Sequence, residues 1–442
     1  MEHLKKDIIP GSVIHSEKPF VYCLSSKVQK EYCDYCFKKG RLLKCSACKY
    51  VYYCGKVCQK EAWHTSVHKA ECKGLKKIAP RIIPDAARMM ARLIRTLSKN
   101  GNQVKSYYTD TNFRMYKDLM SHFADLKNDT KRMEHFESLC GVLYEFMNGD
   151  ILPNTVDLME MFGKMCINSF NICNEEQQTL GTGIYLGASV IDHSCKPNAI
   201  AMFEGTTLHI RATKPMAYLN WSEIRISYID VLNTRKDRIE ELERLYYFTC
   251  QCPMCSIPDP IEMNAAACPN RDCYLEINLN ETNIEKCSRC EAQITSTFRE
   301  KFAEVNKLTD LHLQNMKELA HMDNLDLDAC EVFLEKQGRF LYSSNIKRVK
   351  TLDLAFESFI HFGKFEDALR VGLSLLPPLT KYYGITHPVD GLIRLKMAKL
   401  FAALNNTECA LKLAESAHDV LKVTHGMQSD IVREELLPLL KH

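Results

Sequence analysis

The sequence predicts an α+β multidomain protein, and three regions of the chain support that prediction. Cysteine and histidine cluster between residues 33 and 72, short β-branched segments recur through the middle, and apolar residues follow helical spacing from about Thr297 to the end. At 442 residues the chain exceeds what one hydrophobic core usually supports. We therefore expect zinc modules joined to a β-rich domain and a helical domain.

Composition indicates an intracellular protein without a membrane segment. The 21 cysteines occur largely in C-x-x-C pairs, which favours thiolate ligation of metal in a reducing compartment over disulfides. No uncharged apolar run approaches the length of a membrane span, and the start, MEHLKKDIIPG, lacks an apolar signal segment. We expect the protein in nucleus and cytoplasm.

Eight candidate zinc ligands lie within forty residues, enough for two tetrahedral sites. They are Cys33, Cys36, Cys45, Cys48, Cys54, Cys58, His68 and Cys72. Spacing of four places His68 and Cys72 on one face of a helix that begins near Lys56. His64 is the rival ligand, but it lies a further helical turn from Cys72, so we expect it at the surface.

The same region is basic. Between Lys27 and Lys77, thirteen Lys or Arg residues stand against four Asp or Glu residues. This excess is compatible with weak DNA binding or with an acidic partner. It is equally compatible with lysines that solubilise a small zinc module.

Two further cysteine sets predict additional zinc sites. Cys195, in the stretch IDHSCKPN, has no close cysteine neighbour, and the trio Cys250, Cys252 and Cys255 lacks a fourth ligand. Together they form a third tetrahedral site. The spacing of two later pairs resembles a zinc ribbon and predicts a fourth site, the alternative being exposed loop cysteines. These pairs are Cys268 with Cys273 and Cys287 with Cys290.

Each secondary-structure element has a local signal. Residues 12–24 and the segments 199–205, 206–213 and 223–230 are short and β-branched, which predicts strands, with Tyr228 near the end of the last. Apolar spacing of three and four predicts helices over 84–100, 131–148 and 155–170. In the tail, Ala368 and Ala410 occupy matching positions of two similar segments, which indicates helical hairpins of tetratricopeptide (TPR) type or else a plain bundle.

The order of the first eight ligands, together with Trp63, resembles the MYND zinc finger. The resemblance implies interleaved sites: one formed by Cys33, Cys36, Cys54 and Cys58, the other by Cys45, Cys48, His68 and Cys72. It also implies proline-containing peptides as partners.

Four motifs downstream resemble a SET methyltransferase domain with its post-SET zinc: NSF at 168–170, DHSCKPN at 192–198, ISYID ending at Asp230, and F-x-C-x-C-x-x-C at 248–255. The whole chain is similar to the SET and MYND domain (SMYD) family of protein lysine methyltransferases. That similarity implies a SET domain split by the finger, with boundaries 1–32 for its first part, 33–72 for the finger, 73–248 for the remainder, 249–295 for the post-SET and ribbon modules, and 296–442 for the TPR-like domain.

The resemblance implies methyl transfer from S-adenosylmethionine to a lysine of a histone or another protein. The tyrosine that orients the lysine amine would be Tyr228. The residues that contact the cofactor would be Asn168, Asp192, His193, Tyr228 and Phe248.

Three departures from the family pattern accompany this similarity. The glycine-containing cofactor loop is expected upstream of Ile8 and is absent from the sequence there. Asp192 stands where the motif has asparagine, so an amide donor is lost, and we expect cofactor affinity about one to two decades lower. Trp221-Ser222-Glu223 replaces Gly-Glu-Glu before the last strand. The alternative hypothesis is therefore an interaction adaptor or transcriptional regulator that keeps the architecture without turnover.

Overall fold

The computed structural model of the chain describes residues 7–65, 67–147, 149–281, 284–319 and 327–441. The chain divides into two compact units, Met1–Ile226 with Leu242–Thr249, and Ser227–Glu241 with Cys250–His442. Mixed strands and helices in the first and many helices in the second confirm the predicted α+β multidomain class. The finer five-part division stays a prediction.

Short strands run through the chain. They are β1 Val13–Glu17, β2 Val21–Leu24, β3 Leu43–Lys44, β4 Tyr52–Tyr53, β5 Ser106–Tyr107, β6 Phe113–Arg114, β7 Ser169–Cys173, β8 Thr179–Ile184, β9 Asp192–His193, β10 Ala199–Glu204, β11 Thr207–Ala212, β12 Arg225–Ile226, β13 Ala266–Ala267 and β14 Glu276–Ile277.

The helices are α1 Lys56–His64, α2 Cys72–Ile78, α3 Asp85–Leu97, α4 Phe123–Asn128, α5 Thr130–Phe146, α6 Thr155–Asn168, α7 Arg235–Tyr246, α8 Ser296–Leu319, α9 Leu327–Phe340, α10 Ile346–His361, α11 Phe365–Tyr383, α12 Pro388–Ala403 and α13 Thr407–Thr424. Single 3₁₀ turns lie at Gly101–Gln103, Tyr116–Asp118, Ala188–Val190 and Ile261–Met263, and a π-helical turn at Ile431–Leu436. No helix among the described residues is long and apolar enough to cross a membrane.

The first unit is built on two antiparallel three-stranded sheets, ordered β1-β11-β10 and β2-β8-β7. Strand β11 alternates half-buried and buried residues, so Leu208, Ile210 and Ala212 face the core. Apolar residues of α3, α5 and α6 pack with buried residues of the finger into one continuous core. The finger is thus part of the fold of this unit, not an appendage.

Two sequence predictions in this unit need correction. The helix predicted over 155–170 ends at Asn168, because Ser169 and Phe170 pair with β8 as the start of β7. The strand predicted over 223–230 shrinks to Arg225–Ile226, because its parallel partner β9 has only two residues. Tyr228 therefore lies beyond the strand. In both cases the pairing partner, which local sequence does not reveal, sets the boundary.

The second unit is mainly helical, as predicted from about residue 297. Its largest core joins residues of α10, α11 and α12, and a second core joins α12, α13 and the π-helical turn. Ala368 and Ala410 are 0% and 5% exposed, which fits small residues at close helix contacts. Asn345 and Asn406 cap α10 and α13 by accepting backbone N–H hydrogen bonds.

Candidate functional site

The eight finger ligands form two groups in the structure. Cys33, Cys36, Cys54 and Cys58 make one, and Cys45, Cys48, His68 and Cys72 the other, with the ligand atoms of each group within 4.8 Å of one another. These are the two sets that the resemblance implies. The second set is entirely buried, whereas Cys54 of the first is exposed.

Distances between sulfur atoms fit a tetrahedral zinc ion. With Zn–S bonds of about 2.3 Å, tetrahedral geometry requires S···S separations of about 3.8 Å. The observed separations are 3.7 Å for Cys36–Cys54, 3.4 Å for Cys54–Cys58 and 4.0 Å for Cys45–Cys72. A disulfide would need about 2.05 Å. The donor sets therefore fit zinc in its usual geometry.

Tight turns position the C-x-x-C pairs. Phe37 and Lys49 adopt positive φ angles of 57° and 55°, each four residues after the first cysteine of its pair. In both turns this residue donates its N–H to the carbonyl of that cysteine. The left-handed residue bends the chain back so that both thiols face one point.

His68 reaches its site in a different way from the one expected. Helix α1 ends at His64, so the predicted helix from Lys56 through Cys72 is wrong. His68 and Cys72 share a separate helical turn, in which the Cys72 N–H donates to the His68 carbonyl at 2.9 Å. His64 is exposed, as expected.

Sequence reasoning missed a buried ion cluster behind the second finger site. Two carboxylates from the finger, Asp34 and Glu71, meet two guanidiniums from α3, Arg88 and Arg92, with N···O distances of 2.6 to 3.2 Å. Arg92 also donates to the Tyr22 carbonyl of β2 at 2.7 Å. All four charged side chains are at most 4% exposed. The available signal was two arginines four apart in the otherwise apolar stretch 86–94 of α3.

This cluster connects the zinc ligand to the core. His68 turns Nε2 toward Cys45 Sγ at 3.3 Å, while Nδ1 faces the Glu71 carboxylate at 3.5 Å. Such a carboxylate behind a ligating histidine fixes its tautomer and ring orientation. Burial raises the pKa of Glu71, but the guanidiniums of Arg88 and Arg92 outweigh it and hold the pKa well below its usual range. Glu71 is therefore ionised where it faces His68.

A ribbon-like group occupies the second unit. Cys268, Cys273, Cys287 and Cys290 have their sulfur atoms within 4.8 Å of one another. The separations are 3.4 Å for Cys268–Cys290 and 3.8 Å for Cys273–Cys287, again those of ligands around one metal. Glu291, with φ of 56°, repeats the turn seen in the finger. These cysteines are not scattered loop residues, since most are buried.

The residues proposed for the cofactor lie in the first unit on α6, on β9 and in the segment after α7. Asn168 ends α6 and donates both amide hydrogens, to the Met120 and Lys164 carbonyls at 2.8 Å each. Its Oδ1 is therefore the atom suited to accept a hydrogen bond from a ligand. His193 is buried, and its ring lies 6.0 Å from that of Phe248. These residues thus present a side-chain acceptor and a pair of neighbouring rings in the first unit.

Asp192 differs from the sequence expectation in its surroundings. Its side chain is 78% exposed, with Arg225 Nη2 at 4.0 Å from Oδ2. The predicted loss of affinity assumed a buried carboxylate, whereas the carboxylate is solvent-exposed in this structure. Exposure favours the lower end of the expected one to two decades, which stays a prediction.

Trp221 does not strain its turn. It is not among the described residues with positive φ, and Asn220 Oδ1 accepts hydrogen bonds from both the N–H and the hydroxyl of Ser222. The indole packs edge-on against His15 and Tyr108, with ring centroids 5.7 and 5.0 Å away. An asparagine-centred turn thus replaces the glycine turn of the family pattern.

Asn198, at the end of the IDHSCKPN stretch, is a positioning residue that sequence analysis left without a role. Its Oδ1 accepts from the Arg225 N–H at 2.8 Å, and its Nδ2 donates to the Glu223 carbonyl at 3.0 Å. It thereby holds β12 alongside β9. Cys195 in the same stretch is buried, with Sγ 3.2 Å from His193 Nε2.

Tyr228 and the cysteine trio belong to the second unit. Tyr228 is half-buried. A turn joins Cys252 to Cys255, whose N–H donates to the Cys252 carbonyl at 2.9 Å. Burial and the neighbouring thiols of Cys252 and Cys255 raise the pKa of Cys250 to about 11, although a backbone hydrogen bond acts against them. Cys250 and Cys255 are buried, as the ligands of a closed metal site would be.

Comparison with known proteins adds independent findings. The family model of the MYND finger matches residues 33–72. The chain is 30% identical over 444 residues to the histone-lysine N-methyltransferase SMYD3 of Homo sapiens, covering 98% of this chain and 92% of the relative. It is 30% identical over 449 residues to the histone-lysine N-methyltransferase ASHR1 of Arabidopsis thaliana, covering 97% and 90%. It is 26% identical over 428 residues to the N-lysine methyltransferase SMYD2 of Homo sapiens, covering 96% and 92%.

Proposed function

The chain belongs to the SET and MYND domain family, and we propose that it is a protein lysine methyltransferase that uses S-adenosylmethionine. Similarity along nearly the whole chain to enzymes of this activity carries the proposal. It favours catalysis over the adaptor hypothesis.

The direct test is transfer of labelled methyl groups to a panel of histones and lysate proteins. We expect labelled protein products whose digests contain methyl-lysine. Purified, zinc-replete protein that labels nothing in the panel and binds no S-adenosylmethionine at about 1 mM would overturn the proposal.

We propose Tyr228 as the residue that orients the substrate amine. The cofactor supplies an electrophilic methyl group when bound. A tyrosine hydroxyl can hold the neutral amine by a hydrogen bond, which contributes position and electrostatics without a nucleophilic side chain. Tyr228→Phe should lower kcat by about a hundredfold. The exposed Tyr218→Phe is the matched control and should keep full activity.

We propose that Asn168, Asp192, His193 and Phe248 contact the cofactor. Exposure of the Asp192 carboxylate supports binding in spite of the substitution, because a carboxylate can accept from the cofactor's ammonium group. Asp192→Asn should change cofactor Kd by less than about tenfold. A hundredfold lower cofactor Kd in the variant would show that Asp192 severely weakens cofactor binding.

Zinc is supported as a structural metal, and we propose four ions. Two occupy the finger and one the ribbon-like group, whose ligand separations fit tetrahedral coordination. For the remaining zinc ion we propose Cys250, Cys252 and Cys255 as three of the four ligands. Cys195 is our proposed fourth ligand. Metal analysis of Cys195→Ser should show one zinc equivalent fewer than the parent protein.

The relatives are named for histone-lysine and for N-lysine methylation, so we propose a protein substrate, histone or other.

We also propose that the finger binds proline-containing peptides, for which Trp63, 41% exposed, offers a contact. If the basic finger binds DNA weakly, the affinity for DNA should fall steeply as the salt concentration rises. We also propose a nuclear and cytoplasmic location, which the absence of disulfides among the described cysteines supports.

A further inference from the structure

A cavity of about 550 Å³ opens in the first unit, at the junction of finger, sheets and α3. We call it the finger–sheet cavity. Its walls come from the β1–β2 connection, the finger, the end of α3 and the β10–β11 turn. None of the proposed cofactor residues or Tyr228 lines it. Its volume lies within the range of small-molecule sites.

The cavity wall is basic. Lys18, Lys38 and Lys99 line it and are exposed, and among the described residues no ion pair involves any of them. Glu204 is the acidic side chain on the wall. Arg92, also on the wall, is neutralised by the buried ion cluster. Three lysines against one carboxylate leave an excess of positive charge, which attracts an anion.

Arg95 is a further cation at the edge of the cavity. Arg95 lines the cavity and directs Nε and Nη2 to Asp150, at 3.0 and 2.7 Å. Its Nη1 is buried and has no hydrogen-bond partner among the described residues. The guanidinium lies over the Phe146 ring, 5.3 Å from its centroid, so it contributes charge to the cavity edge but not a free donor for a ligand.

Aromatic and hydroxyl groups complete the wall. Phe20 and Tyr35 are half-buried and offer ring surface for a planar body. Thr206 and Thr207 add hydroxyl and backbone groups, of the kind that bind phosphate oxygens. Gly205 between Glu204 and Thr206 has φ of 58° and lies so close to the finger that a Cβ would meet the Cys36 carbonyl at 2.6 Å. This contact holds the turn against the finger.

We propose that the finger–sheet cavity binds a phosphate ester of mononucleotide size. The lysines hold the phosphate, and the rings of Phe20 and Tyr35 pack on the planar body. An acidic peptide would use the charge but would leave the aromatic wall without a matching group. The proposal does not depend on methyl transfer.

The test is calorimetric titration of the full-length, zinc-replete protein with uridine 5′-monophosphate and guanosine 5′-monophosphate. Neither carries the adenine of S-adenosylmethionine, and a competition titration with excess S-adenosylmethionine should leave their binding unchanged. We expect saturable binding with Kd below about 1 mM, and binding at least about tenfold weaker for uridine and for inorganic phosphate.

Charge-reversal variants locate the site. Lys18→Glu with Lys99→Glu should weaken nucleotide binding by at least about tenfold. The matched control, Lys60→Glu with Lys73→Glu, makes the same change in net charge at exposed lysines of α1 and α2 outside the cavity. It should change Kd by less than about threefold. All four side chains are exposed, so unchanged melting temperature and zinc content are expected of both variants.

Several outcomes would overturn the proposal. These are no saturable binding of either nucleotide, equal loss in the control variant, or inorganic phosphate binding as tightly as the nucleotides. A glutamate-rich peptide that binds in a Lys18- and Lys99-dependent manner while nucleotides do not would assign the cavity to a protein partner instead.

Discussion

The buried ion cluster makes a quantitative prediction through Glu71→Gln. The glutamine keeps the shape of the side chain but leaves Arg88 and Arg92, both buried, with Asp34 as the one carboxylate that pairs with them among the described residues. The parent Glu71 accepts four hydrogen bonds from these guanidiniums, two from each. Breaking a buried ion pair from one side costs about 3 to 5 kcal/mol, because it leaves an uncompensated charge.

The assay is amide hydrogen exchange of α3, which carries both arginines, followed by mass spectrometry. A loss of 3 to 5 kcal/mol corresponds to exchange about a hundredfold to several thousandfold faster. The control is Glu61→Gln, an exposed carboxylate on α1 of the same finger, for which we expect less than about a threefold change.

The reasoning would be refuted if Glu71→Gln exchanged no faster than Glu61→Gln. A double-mutant cycle with Arg88→Met adds a second check. Removing one charge of each sign restores neutrality, so the double variant should be more stable than the sum of the single losses, by at least about 1 kcal/mol. Additive losses would mean that these charges act separately.

Three further predictions concern other parts of the fold. Gly205→Ala should lower the melting temperature more than Gly363→Ala. Both glycines have positive φ, but a Cβ at Gly205 would also lie 2.6 Å from a backbone oxygen of the finger. Equal decreases in melting temperature would contradict the importance of this contact. Burial alone would raise the pKa of the Glu17 carboxylate, but hydrogen bonds from His15, a hydroxyl and two backbone N–H groups lower it. Ionised Glu17 therefore stabilises the fold above its unfolded pKa of about 4.5, and this stabilisation is lost as the pH falls through the lower pKa of the folded state. In urea titrations, the stability difference between the parent and Glu17→Gln should hold from pH 7 down to about pH 5 and shrink below 4.5; a difference that grows on acidification would contradict this. Metal analysis of Cys273→Ser should show one zinc equivalent lost, whereas Cys409→Ser, outside the cysteine groups, should lose none.

Local sequence predicted much of the metal chemistry. A C-x-x-C pair folds into its turn within five residues, so spacing alone indicates which cysteines can share an ion. Spacing predicts that two pairs, Cys268 with Cys273 and Cys287 with Cys290, share one zinc ion. The structure brings all four sulfur atoms together. The helical tail was equally accessible, because its apolar periodicity is repeated over many turns.

Partners distant in sequence decided what local signals could not. Helix α6 ends at Asn168 because the next residues form backbone hydrogen bonds with β8. Strand β12 has two residues because its partner β9 offers only two for pairing. The carboxylate of Asp192 raised the expectation of a buried and costly change, yet its exposure follows from tertiary packing.

The sequence by itself determined the eight finger ligands, the ribbon ligands and the order of the modules, since these depend on residue identity and short spacing. The division of the finger ligands into two interleaved sets came from the family resemblance. Only the tertiary structure placed Arg88 and Arg92 beside Asp34 and Glu71, and only it assembled the finger–sheet cavity from four separate segments. The physical reason is that burial and electrostatic pairing depend on which chain segments meet in space. An arginine in an apolar helix acquires its role only when its carboxylate partners are in place.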